Sequence, residues 1–175
     1  MHATNDEPRY AIPVISTTSG TRATKPALPA ELLASTAFLL ARSGYGIKMR
    51  LIQEFEKAGF TILQYGVLAL LGEGATETQS KIADVLDYDR SQLVSELDAL
   101  EERGLIERRR DPQDRRRHMV SITTDGKRQF ARLRTAVNRI EVAFLEPLDE
   151  PTRKALHDTL LEVACCHDQR FKREP

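Results

Sequence analysis

Six arginines, Arg108, Arg109, Arg110, Arg115, Arg116 and Arg117, fall within ten positions of a 175-residue chain whose 26 Lys and Arg are balanced by 26 Asp and Glu. The molecule is neutral, so this charge serves a local purpose rather than a bulk attraction to polyanions. Guanidinium groups hold phosphate oxygens through forked, charge-assisted hydrogen bonds. An arginine at a loop tip also fits the narrow, strongly negative minor groove of A·T-rich DNA. Asp114 stands two residues before Arg116, close enough to orient its guanidinium, which makes Arg116 the expected groove-entering side chain. Arg110, Arg115 and Arg117 are then expected on phosphates or beside the flanking strands. A second set precedes this one: Arg90, Ser91, Gln92, Val94 and Ser95. Arginine suits guanine and glutamine suits adenine in a major groove, while a serine at such a position suits a phosphate.

Both sets need elements to aim them. Asp89 with Gln92 three residues on predicts the start of a helix, and Leu93, Leu97 and Leu100 form its inward stripe. Arg90, Ser91, Gln92, Val94 and Ser95 then occupy the opposite face. Glu96, Asp98, Glu101 and Glu102 follow, so only the first two turns of this helix can approach DNA. Thr78 predicts the cap of a preceding helix carrying Ile82, Ala83, Val85 and Leu86, with a tight turn at residues 87–89 between the two. Gly104 ends the second helix, Leu105-Ile106 opens a strand, residues 111–114 turn, and His118 to Ile122 returns as a second strand. Two helices joined by a three-residue turn and followed by a hairpin are the pattern of a winged helix-turn-helix.

The remainder is mostly helical. Thr61 and Gln64 have capping-box spacing ahead of an apolar helix that ends at Gly72 and Gly74, and a short strand is expected within 75–78. Pro29 suits a first helical position, and Leu32, Leu39, Ile47, Leu51 and Phe55 continue at helical spacing to Lys57. Gly44 and Gly46 predict a bend in that long helix or a close approach to another backbone. Thr123 or Thr124 opens a helix to about Phe144, Pro147 breaks it, and Asp149 caps a last one to about Arg170. Residues 1–28, rich in Thr, Ser, Pro and Ala without periodicity, read as a disordered tail. The expected fold is mainly α (α+β), with one domain over 29–175.

Composition excludes several classes. Apolar runs such as Ala37 to Ala41 fall far short of the ~20 residues of a membrane span, so no membrane partner is expected. The N-terminal segment lacks the apolar core of a secretory signal, which leaves a cytoplasmic location. Cys165 and Cys166 are adjacent, which suits neither a disulfide framework nor a zinc site, and one is expected to pack while the other is partly exposed. His2, His118, His157 and His167 are scattered, so no metal or other cofactor is expected. The chain shows no Ser/His/Asp set, glycine-rich phosphate loop or spaced carboxylate pair, so an enzyme is not expected.

Residues 61–126 resemble the winged helix-turn-helix of the MarR family of bacterial transcriptional regulators. The resemblance is carried by the Thr61-to-Leu71 helix, Gln79-Ser80-Lys81-Ile82-Ala83, Leu100 to Arg108, Asp111 to Arg116, and Ser121-Ile122-Thr123-Thr124-Asp125-Gly126. The family's D-x-R motif falls on Asp114 and Arg116. Val94-Ser95 stands where family members often carry Thr-Arg, which shifts base reading toward Arg90, Gln92 and the hairpin. The resemblance implies a homodimer held by helices at 29–58 and 127–170, with Val137, Ile140, Phe144, Leu156, Leu160, Leu161 and Val163 supplying apolar stripes. It also implies a pseudo-palindromic double-stranded DNA operator and a small, often phenolic or aromatic-acid effector that releases the protein from it. Arg42, Tyr45, Met49 and Tyr65 are the candidate effector-pocket residues. The function expected is sequence-specific transcriptional repression. The alternative is a winged-helix protein-interaction module with weak nucleic-acid binding.

Overall fold

The computed structural model describes residues 27–74, 76–111, 114 and 117–171. The expected tail therefore lies outside the described residues except at its last two positions, and so do Arg115 and Arg116. Ten helices and strands follow in order: α1 Ala30–Ala34, α2 Thr36–Lys57, α3 Ile62–Gly72, β1 Glu77–Thr78, α4 Gln79–Leu86, α5 Arg90–Glu102, β2 Ile106–Arg110, β3 His118–Ile122, α6 Thr124–Phe144 and α7 Glu150–His167. A single 3-10 turn, Gln169–Phe171, closes the described chain.

Local side chains start most of these elements where the sequence places them. Thr61 accepts from the Gln64 amide at 3.1 Å while the Gln64 side chain accepts from the Thr61 amide at 3.3 Å, a complete capping box. Thr78, Asp89, Thr123 and Asp149 each cap their helix through the side-chain oxygen. Asp87, in the turn between α4 and α5, is left-handed at φ 56°, and Gly104 takes φ +66° where α5 must stop and reverse into β2.

The N-terminal helix departs from expectation. Ser35 is extended, at φ −85° and ψ 109°, and its hydroxyl accepts from the Phe38 amide at 3.2 Å, so the segment is two helices. A serine side chain that satisfies an orphan N–H makes the break cheap, while the apolar spacing runs across it unchanged. Pro29 is the cap of α1 rather than its first helical residue. Helix α2 is continuous through Gly44 and Gly46. The close approach expected at these glycines is to a side chain: a Cβ on Gly46 would lie 3.5 Å from the Phe144 ring of α6. The last helix ends at His167 rather than Arg170, and the expected strand within 75–78 is only Glu77–Thr78.

The core lies in the winged lobe. Val67, Leu68 and Leu71 of α3 are fully buried with Ile82 of α4, Leu93, Leu97 and Leu100 of α5, Ile106 of β2 and Val120 of β3. The sheet order is β1-β3-β2, all antiparallel, with Ile106 opposite Ile122 and Arg110 opposite His118. Helices α2 and α6 pack on each other and connect to the core through Phe55 and Leu133, helped by an Arg139–Glu54 ion pair. Helix α7 contributes no buried residue.

Candidate nucleic-acid interface

Helix α5 presents two chemically opposite faces. Leu93, Leu97 and Leu100 are no more than 1% exposed, which fixes the rotation of the helix about its axis. Arg90, Ser91, Gln92, Val94 and Ser95 are all exposed on its first two turns. The start of the helix is stiffened by Asp89, whose carboxylate accepts from the Ser91 and Gln92 amides at 2.8 and 3.3 Å. These bonds, together with the Ser91 hydroxyl, hold the Asp89 carboxyl below the usual carboxylate range. Ser91 therefore has its amide and its hydroxyl proton committed to the cap. A phosphate contact from Ser91, as the sequence suggests, requires the hydroxyl to turn away from Asp89. The Ser95 hydroxyl donates to the Gln92 carbonyl at 2.8 Å.

The hairpin is clamped to the same helix. Arg108 donates from Nε to Glu101 at 2.8 Å, pairs with Asp98 at 2.6 Å, and sends its backbone amide to Glu101 at 3.1 Å. The Arg108 hydrogen bond pulls the Glu101 carboxyl below its usual value, and the same contact raises the guanidinium's affinity for its proton. Asp98 and Glu101, which in the sequence only limit how far DNA can approach, hold the base of the hairpin against α5. Their role was hidden because it depends on Gly104 folding β2 back along the helix. Arg109 pairs with Glu107 at 3.1 Å, and Arg110 is exposed at the end of β2. At the tip, the Arg117 amide donates to the Asp114 carbonyl at 2.9 Å and the two side chains pair at 3.3 Å. The expected Asp114–Arg116 contact involves Arg116, which, like Arg115, lies outside the described residues.

A cleft of about 460 Å³ opens between α2, the start of α3 and the start of α5. Its lining combines the apolar Ile52, Phe60, Ile62 and Leu63 with polar side chains that include Lys48, Thr61, Gln92 and Glu96. None of Arg42, Tyr45, Met49 and Tyr65 lines it. Tyr65 instead stacks on Phe55, with ring centroids 5.0 Å apart, and leans on Phe130 at 5.6 Å. Burial pushes its phenol pKa up, against a smaller opposing effect of Arg134. Met49 and Tyr45 lie on α2 one and two turns before Ile52, on the same helical face, with Arg42 a further turn back. Cys165 is half-buried with its thiol on the Phe171 carbonyl at 3.3 Å, and Cys166 is exposed. Among the described residues there is no cluster of three metal-ligating side chains, and no helix is long and apolar enough to cross a membrane.

The sequence model of the MarR family matches residues 58–117, the span from the α2–α3 turn to the hairpin tip. A putative transcriptional regulatory protein for the hcr operon of Thauera aromatica is 37% identical over 98 residues, which cover 56% of this chain and 59% of that protein. The chain spans about 60% of the length of the first curated relatives it matches. Among solved structures, the transcriptional repressor CouR bound to a 23-mer DNA duplex aligns with a TM-score of 0.70 at 32% identity, covering 80% of this chain and 99% of CouR. CouR from Rhodococcus jostii bound to p-coumaroyl-CoA aligns with a TM-score of 0.64 at 27% identity, over 76% of this chain and 94% of the other.

Proposed function

The chain belongs to the MarR family of transcriptional regulators, a family of regulators rather than enzymes, and from that premise we propose that it is a homodimeric repressor of a pseudo-palindromic DNA operator. The observation that carries this reading is the construction of α5. Its buried leucines leave one exposed face of Arg90, Gln92, Val94 and Ser95 beside a hairpin that Arg108 clamps to the same helix. A helix of ~10–12 Å diameter fits a major groove ≈ 12 Å wide, and the hairpin then overhangs the neighbouring backbone. Arg90 and Gln92 read base edges, Arg110, Arg115 and Arg117 hold phosphates, and Arg116, oriented by Asp114, enters the minor groove.

One copy of this surface covers too few base pairs for a specific site, so two copies are required. The apolar surface left over supports a second copy as partner. Leu160, Leu161 and Val163 on α7 are 40–46% exposed, and Leu33, Leu39 and Leu40 near the N-terminus are 45–51% exposed. Exposed apolar side chains in such numbers suit an interaction surface. Val137 and Phe144 of the expected stripe instead have partners within the chain, in the core and at Gly46. The repressor acts where the chromosome is, in the cytoplasm. Its effector, a small phenolic or aromatic acid, enters between α2 and the winged lobe, with Arg42, Tyr45 and Met49 extending the wall begun by Ile52 and Lys48. Tyr65 stays with the core.

Salt dependence separates this function from that of a protein-interaction module. Binding to a duplex from the DNA upstream of the protein's own gene is expected to give log K falling linearly with log salt, at a slope of roughly −0.9 for each phosphate neutralised. A flat response, or equal affinity for a random duplex of the same length, contradicts the proposal.

A further inference from the structure

Gln64 is the one polar residue in the buried core of the described chain, at 6% exposure. Its capping-box role accounts for only half of its side chain. The carbonyl oxygen Oε1 accepts from the Thr61 amide, and that bond fixes which end of the amide is oxygen. The Nε2 group therefore points away from its own helix, and it donates to the Glu96 carboxylate of α5 at 2.7 Å, across 32 residues of sequence. A capping box accepts Glu or Gln at this position equally well, but only the amide can donate to Glu96. The need for glutamine comes from α5.

Glu96 sits one turn beyond Gln92 and adjoins Ser95 on the helix assigned above to base reading. The same α2–α3 junction holds α5 at a second point. Arg103, at the C-terminal end of α5, donates to the Gly59 carbonyl at 2.8 Å and lies over the Phe60 ring at 3.8 Å. The junction thus grips α5 in its middle and at its end, and it is the continuation of α2. Thr61 and Glu96 also line the cleft beside this junction.

We propose that Gln64 is a positioning residue for DNA binding, holding α5 through Glu96 to the α2–α3 junction. This rests on the reading of α5 as the DNA-contacting helix. The contact is a part-buried, charge-assisted hydrogen bond, the stronger kind, and it is directional. It sets where the exposed face of α5 stands relative to the helices expected to pair the two copies. A ligand in the cleft reaches the same contact from its open side, through Thr61 or Glu96, so the cleft and the groove-facing surface share one hydrogen bond.

The test is a charge-swap cycle. Gln64→Glu keeps the capping box but sets two carboxylates against each other. The double variant Gln64→Glu/Glu96→Gln restores one donor and one acceptor with the order reversed. The probe is a duplex from the DNA upstream of the protein's own gene, compared with a random duplex of equal length. In Gln64→Glu the preference for the upstream duplex is expected to fall roughly tenfold or more, and the double variant is expected to regain most of it. A side chain that served only the cap would give neither the loss nor the rescue. Wild-type preference in Gln64→Glu, or a double variant as impaired as the single one, overturns the proposal.

Hydrogen exchange of the α5 amides in the free protein tests the contact without DNA. Faster exchange in Gln64→Glu and recovery in the double variant support the contact, while unchanged exchange overturns it. Failure of the wild-type protein to prefer the upstream duplex, with the exchange result intact, overturns the DNA-reading assignment and leaves the tether standing.

Discussion

Arg116→Ala is expected to lower affinity for the proposed operator by roughly two to four orders of magnitude at fixed salt while leaving the proposed dimer and the melting temperature in place. The magnitude follows from symmetry. A hydrogen bond involving a charged group contributes about 1.5–3 kcal/mol, and a two-fold complex loses two copies. The stability expectation follows from position, since surface substitutions away from caps and cores usually stay within about 0.5 kcal/mol. Arg116 lies outside the described residues, so its placement rests on the sequence spacing to Asp114 and on the hairpin that carries both. That base is well defined: Arg108 ties β2 to Asp98 and Glu101, and β2 and β3 pair from Ile106–Ile122 to Arg110–His118. Arg109→Ala is the comparison, because Arg109 already pairs with Glu107 and lies within β2, opposite Met119. Fluorescence anisotropy with the operator duplex reads both variants, and an Arg116→Ala affinity within threefold of wild type removes the minor-groove assignment.

Gly126→Ala is expected to destabilise the fold by roughly 2–4 kcal/mol, an overpacking effect at and beyond the upper end of its usual range. A Cβ there would lie 2.0 Å from the Leu105 carbonyl oxygen and 2.7 Å from a side-chain carbon of Ile122. The carbonyl cannot retreat cheaply, because it accepts from the Thr123 amide at 3.0 Å and from the Thr123 hydroxyl at 3.2 Å. The first turn of α6 is equally fixed, its Gly126 amide donating to the Thr123 hydroxyl at 3.0 Å. One of three things must move: the root of the hairpin, the start of α6, or the bond between them. For a chain of this size the melting temperature falls by roughly 5–15 °C. DNA binding weakens as well, because the displaced strand root carries the hairpin. A melting temperature within 2 °C of wild type would show that the α6–β2 junction yields more easily than its hydrogen bonds indicate.

The parts of this fold legible in the sequence are those set by side chains acting within one turn. Thr61 with Gln64, Thr78, Asp89, Thr123 and Asp149 each satisfy amides three residues away or closer, so their identities and spacing suffice. The leucines of α5 were legible for the same reason, since a helical repeat declares its buried face. Ser35 was missed because Leu32 and Leu39 keep helical spacing across it, and periodicity does not register a serine that caps. In the sequence Arg108 is one of six arginines; its pairing with Asp98 and Glu101 exists because Gly104 reverses the chain. The Gln64–Glu96 bond joins two helices 32 residues apart, and nothing in either local sequence announces the partner. For the effector pocket, residue type points to Tyr65, whose half-buried ring packs against Phe55 and Phe130 at the edge of the core. The cleft wall was not legible, because it depends on how α2, α3 and α5 converge.

Two copies of α5 and its hairpin are proposed to read a symmetric operator. Nuclease protection mapping across the DNA upstream of the protein's own gene tests it most directly. One protected pseudo-palindrome is expected, with half-sites roughly 10–10.5 base pairs apart, centre to centre, and it is expected to be absent with Arg116→Ala at the same concentration. Uniform coverage of the fragment, or no protection at concentrations that saturate random DNA, would contradict it.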